Sequence, residues 1–149
     1  MTEQLKKDEI VKAANNQKFI SSAPVIIICC ANINDYKYNS MSGVNELKES
    51  DYIDDGLYLT LQNRIDNIQI GNSINEIAFN VAIAVEHMVL RAVEFGIGSC
   101  WIGFVDNQAV RKLFNFDKNL VIVSLLALGY PDEEPKARKR LPISDIIIK

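Results

Sequence analysis

The chain has 149 residues, of which 48% are hydrophobic and 23% charged, a length and balance that suit one globular domain with a single core. The formal net charge of -3, with Asp and Glu spread along the chain, points away from nucleic acid and anionic membranes as partners. No stretch approaches the roughly 20 apolar residues of a membrane helix, and Met1 to Lys12 lacks the apolar run of a secretory signal, so a cytoplasmic location is expected.

Thr2 to Asn16 reads as a short helix, with Leu5, Ile10, Val11 and Ala14 on one face. Ala23-Pro24 punctuates the chain. Val25 to Ala31 is short, β-branched and apolar on both faces, the pattern of a central strand covered on both sides. It carries the vicinal pair Cys29-Cys30; with Cys100 the count is three, which does not suit a disulfide framework. The pair could be a redox device, but two buried small hydrophobes is the commoner state of free cysteine. Asn32 to Asp55, rich in Asn, Asp and Ser, reads as a long surface excursion. Leu57, Leu61, Ile65 and Ile68 are spaced for a short amphipathic helix.

Ser73-Ile74-Asn75-Glu76 has the form of a capping box and predicts a long helix from Ser73 to about Phe95. Glu76, Asn80, His87, Arg91 and Glu94 fall on one narrow stripe, and most of the remaining circumference is apolar. Such a helix must be covered on most sides, which predicts a second subunit against it. Gly96 is placed to end it. Gly98 to Gly103 reads as a strand, Asp106 as the N-cap of a helix through Leu113, and Leu120 to Leu128 as a second long apolar strand. After Gly129-Tyr130-Pro131 the chain is charged and extended to Arg140. Ile143 to Ile148 reads as a final strand reaching out of the domain.

Few groups for acid–base work are present. His87 is the one histidine, which excludes a multi-histidine metal site. On its helix stripe it reads as a hydrogen-bonded structural residue rather than a ligand. There is no glycine-rich phosphate loop and no nucleophile elbow. An enzyme with so little apparatus would depend on a borrowed cofactor.

Four segments occur in an order that resembles the nitroreductase family of flavoproteins. Gln17-Lys18-Phe19-Ile20 and Ala23-Pro24 precede the first strand. The helix from Asn80 ends in Gly96-Ile97-Gly98 and runs into Ser99-Cys100-Trp101-Ile102-Gly103, where the family has Gly-Leu-Gly followed by Ser/Thr-Cys-Trp-Ile-Gly. Leu128-Gly129-Tyr130-Pro131 leads through Asp132, Glu133 and Glu134 to Pro135. Arg138-Lys139-Arg140-Leu141-Pro142 is similar to the family's basic tail. The resemblance covers about Leu5 to Ile148, apart from Asn32 to Asn72.

The resemblance implies an α+β fold, in which a mixed sheet is flanked by helices and a C-terminal extension embraces a partner subunit. It implies a homodimer with FMN at the interface, and hydride or electron transfer from NAD(P)H to a small organic acceptor such as a nitroaromatic or a quinone. Trp101, Ile102 and Gly103 correspond to the segment beside the flavin ring. Arg138 and Arg140 correspond to the residues that hold the FMN phosphate, a role that suits a guanidinium fork. Read without the resemblance, Trp101 is a core tryptophan and the two arginines are a solvated patch balancing Asp132, Glu133 and Glu134.

The sequence departs from the family in three places. The opening Arg-Arg-Ser-x-Arg and Pro-Ser-x-x-Asn-x-Gln-Pro-Trp segments have no counterpart, and Met1 begins about where they would end, so a single N-terminally shortened domain over residues 1–149 is expected. Phe104-Val105-Asp106 stands where the family has a small residue and then Phe-Asp. Asn80 replaces a frequent aspartate. The alternative to a working reductase is a truncated dimerising or regulatory module that no longer binds FMN.

Overall fold

The computed structural model describes residues 4–148. Their elements follow in chain order: α1 (Gln4–Ala13), α2 (Phe19–Ser22), β1 (Val25–Asn32), α3 (Ile33–Glu49), α4 (Asp55–Asp66), α5 (Ile70–Glu94), β2 (Gly98–Ile102), α6 (Asn107–Phe114), β3 (Leu120–Gly129) and α7 (Ile143–Ile146). The strands form one sheet in the order β1-β3-β2. Both pairings are antiparallel, so among the described residues the sheet is antiparallel rather than mixed.

Helices cover both faces of the sheet, giving an α+β sandwich. On one face, Ile10 and Ala14 from the α1 end and Val110 of α6 pack on Ile26, Ile102, Ile122, Leu125 and Ala127. On the other, Val85 of α5 meets Cys29 and Leu126, while Ile77, Val44 and Ile65 gather around Val121. The expected burial of β1 on both faces is met, but β1 lies at an edge and β3 is the central strand. Apolar character on both faces reports what lies above and below a strand, not what lies beside it.

Local chemistry explains most element boundaries. The Asp106 carboxylate caps α6, accepting from the N–H of Gln108 at 2.9 Å and of Ala109 at 3.1 Å. Gly96 ends α5 with a left-handed φ of 66°, while Ile97 N–H returns to the Ala92 carbonyl at 3.0 Å. Gly129 cannot be replaced freely, because a Cβ there would stand 2.6 Å from the Pro24 ring. A bulge between Cys29 and Cys30 skips Val123 of β3, since Cys29 pairs with Ser124 and Cys30 with Ile122.

Four expectations are corrected. Asn32 to Asp55 is not a surface excursion: α3 fills most of it, capped by Asn32, whose Oδ1 accepts from Asn34 N–H at 2.9 Å. Its inner face carries Ile33, Tyr36, Met41 and Val44, a helical spacing that the surrounding Asn and Ser residues conceal. The long helix starts at Ile70 rather than Ser73. Asn72 Oδ1 accepts from Gln69 N–H at 2.9 Å, Ser73 is buried inside the first turns, and Glu76 pairs with Arg64 of α4 at 2.6 Å. Leu5 is exposed, and Lys7 takes the inward place on α1, donating to the Ala23 carbonyl at 2.6 Å. Thr2, at the start of the expected first helix, lies outside the described residues. Ile143 to Ile148 is no strand: Ile143–Ile146 forms one exposed helical turn after Pro142. The expectation of a second subunit against α5 is not overturned: within this chain the helix is covered on one side only. Phe79, Ile83, Leu90 and Val93 are 70%, 58%, 58% and 68% exposed.

Two outcomes follow from these packing details. Gly43 sits inside α3 with open space where a Cβ would go. Gly43→Ala should therefore raise unfolding stability by about 0.5–1 kcal/mol in denaturant titration, and a loss would contradict the helical assignment. Burial pushes the thiols of Cys29 and Cys30 above their ordinary value, with the Ser124 hydroxyl partly opposing this at Cys29. The folded chain then keeps thiol protons that the unfolded chain releases. This contribution to stability is present below the ordinary thiol value and is lost as pH rises through the raised one. Near neutral pH a thiol reagent should label the exposed Cys100 first and reach Cys29 only on unfolding.

Candidate functional site

Trp101, Ile102 and Gly103 lie together at the end of β2, the sheet edge opposite β1. An edge strand leaves alternate main-chain N–H and C=O groups without a sheet partner. The side chain of Ile102 is not part of any open surface; it is buried in the core beneath α1 and α6, so only its main chain can face a ligand. Trp101 is 38% exposed and is therefore not a core tryptophan. Gly103 has nothing within 4 Å of the place a Cβ would occupy, leaving its backbone open to close approach. Phe104, the residue that departs from the family pattern, is 74% exposed beside it.

Behind this edge the loop is held firmly. Asp106 N–H donates to the Ala13 carbonyl at 2.8 Å, and the Asn15 side-chain amide donates to the Phe104 carbonyl at 3.2 Å. Val105 packs against the core cluster beneath α1. Sequence reasoning missed Asn15, because nothing in a helix-terminal Asn signals a bond across 89 positions.

Arg138 and Arg140 are placed differently. They lie on an exposed arm that leaves β3 at Gly129. Gly129 pairs with Gly98, the far end of β2 from Gly103, a separation of about 17 Å along the strand. The nine residues to Arg138 could span about 30 Å if extended, enough to return along β2 or to cross to another subunit. Neither guanidinium has an ion-pair partner among the described residues. An open main-chain edge and unpaired guanidinium forks are donor types that suit a flavin ring and its phosphate.

Two recesses lie elsewhere, along a flank of α5, the first facing β1 and the second reaching Leu128 of β3. One, of about 380 Å³, is lined by Ile27, Cys29, Asn80, Ala84 and Met88 among others. The other, of about 610 Å³, is lined by His87, Arg91, Ala92, Phe95 and Leu128 among others. Both are wide open and mainly apolar. His87 stands exposed at the rim of the second, without a side-chain hydrogen bond among the described residues, rather than as the bonded structural residue expected. Beside it Arg91 pairs with Glu94 and lies 4.7 Å above the Phe95 ring centroid. No helix of the described chain is long and apolar enough to cross a membrane.

Comparison with known proteins agrees with this architecture. An NADPH-flavin oxidoreductase of Vibrio harveyi is 24% identical over 149 residues, covering 99% of this chain and 52% of the relative. An NAD(P)H-dependent FMN reductase of Bacillus subtilis is 24% identical over 139 residues, covering 92% of this chain and 49% of the relative. The chain thus spans about half the length of these two relatives. A protein of Exiguobacterium sibiricum solved in complex with FMN superposes with a TM-score of 0.76 at 18% identity, over 99% of this chain and 72% of its own. The nitroreductase family model matches residues 1–130 and stops where the arm begins, so Arg138 and Arg140 lie beyond it. A match over that much of the chain makes the protein a member of the nitroreductase family.

Proposed function

We propose that the protein works as a homodimeric, FMN-dependent NAD(P)H oxidoreductase. The observation that carries the reading is the uncovered main-chain edge from Trp101 to Gly103, set in a chain whose first 130 residues match the family. Bound FMN would supply hydride or electron transfer from NAD(P)H to a small organic acceptor such as a nitroaromatic or a quinone. The protein's own work is binding and orientation. Main-chain groups of Trp101, Ile102 and Gly103 meet the ring, and the glycine admits it closely. Arg138 and Arg140 would clamp the phosphate, and among the described residues neither has a carboxylate partner that competes for it. The arm's departure from the far end of β2 favours a phosphate site completed across two subunits.

The dimer reading rests on α5. Phe79, Ile83, Leu90 and Val93 recur at intervals of four, seven and three residues, with Glu86 between Ile83 and Leu90. That spacing puts the four on one side of α5, facing away from the sheet, as an apolar stripe interrupted by the single carboxylate of Glu86. Left in water it would be an unusual surface for a helix this long. A second copy offers the same stripe and covers both at once.

The test is a visible spectrum after adding FMN and removing the excess by gel filtration. Stoichiometric yellow protein is expected, and each arginine-to-alanine change at Arg138 or Arg140 should weaken FMN binding by about tenfold or more. Unchanged affinity in the double variant would remove the arginines from the site. A colourless, folded protein would favour the non-catalytic dimerising module instead.

A further inference from the structure

We infer that Asn15 is a positioning residue for the flavin-facing main chain. Its side-chain amide, together with the Ala13 carbonyl, clamps the Gly103–Asp106 loop to the end of α1 and so sets where the Gly103 backbone stands. The inference rests on the reading that this backbone borders FMN.

Three observations converge. The loop is tied to α1 twice, through Phe104 O to Asn15 at 3.2 Å and through Asp106 N–H to Ala13 O at 2.8 Å. Its far end is fixed again because the Asp106 carboxylate caps α6. A Cβ built on Gly103 would meet nothing within 4 Å, so the backbone there is open beside the tied residues. Main-chain groups that must meet a ligand in fixed geometry need such support from behind. Asn15 also adopts a left-handed backbone, with φ at 55°.

The bland alternative is that Asn15 merely tolerates that backbone. Its neighbour Asn16 supplies the control: it is left-handed too, with φ at 58°, and sends no side-chain hydrogen bond to the loop. Glycine accepts either conformation without strain. Asn15→Gly removes the clamp, whereas Asn16→Gly makes the same backbone change and leaves it in place.

Both variants should unfold at similar denaturant concentrations. Amide hydrogen exchange from Phe104 to Asp106, measured without flavin, should speed up in Asn15→Gly alone. FMN affinity should fall about two- to tenfold in Asn15→Gly alone, the range one neutral hydrogen bond supplies. The FMN midpoint potential should shift in the same variant only. If FMN binds but Asn15→Gly matches Asn16→Gly in exchange, affinity and potential, the inference is overturned while the flavin reading stands. If the unaltered protein takes up no FMN, the flavin reading fails and the flavin role of Asn15 fails with it.

Discussion

Two adjacent leucines in β3 hold the fold together. Leu125 and Leu126 are both 0% exposed, and successive residues of a strand point to opposite faces. Leu125 anchors the α1 and α6 layer, and Leu126 anchors α5. The same strand pairs with β1 on one side and β2 on the other. Every functional feature is positioned from it: the Trp101–Gly103 edge through β2, the arm through Gly129, and the apolar stripe of α5 through the contact of Val85 with Leu126 and Cys29. A change that displaced β3 would disturb all three together.

The sheet has two unlike edges. β1 is flanked by one wide recess along α5, whereas β2 ends in an open glycine backed by a clamped loop. Neither this recess nor the second one along α5 is lined by Trp101, Ile102 or Gly103. They border the polar stripe of α5, on a different side of the helix from Phe79, Ile83, Leu90 and Val93. A helix with one buried face, one polar flank and one exposed apolar stripe needs a partner only on the last. That is a narrower requirement than the cover on most sides read from its sequence.

Periodicity and capping chemistry made much of the fold legible. The apolar runs of β1 and β3, the Asp106 cap and the Gly96 terminus each have a local cause that leaves a local signal. Failures came where the cause is not local. β1 was expected at the centre of the sheet because lateral neighbours leave no trace in alternation. Helix α3 was hidden because polar residues on its outer face outweigh the Ile33, Tyr36 and Val44 face in composition. The Ile143 to Ile148 run carries strand-forming residues, but among the described residues it pairs with neither edge of the sheet. At the candidate site, Trp101 and Gly103 stand out through a motif that carries no signal of how exposed each is. The burial of the Ile102 side chain and the Asn15 clamp depend on contacts far apart in sequence.

The central claim is that flavin and the α5 stripe belong to one assembled site. Sedimentation velocity followed at both the protein and the flavin absorption bands tests it most directly, on the FMN-loaded protein and on Ile83→Glu. Placing an unpaired carboxylate in a covered stripe is strongly unfavourable, so the variant should sediment as a monomer with little flavin, while the unaltered protein carries flavin on a dimer. Flavin sedimenting with a monomer, or a dimer that survives the Ile83→Glu change, would contradict it.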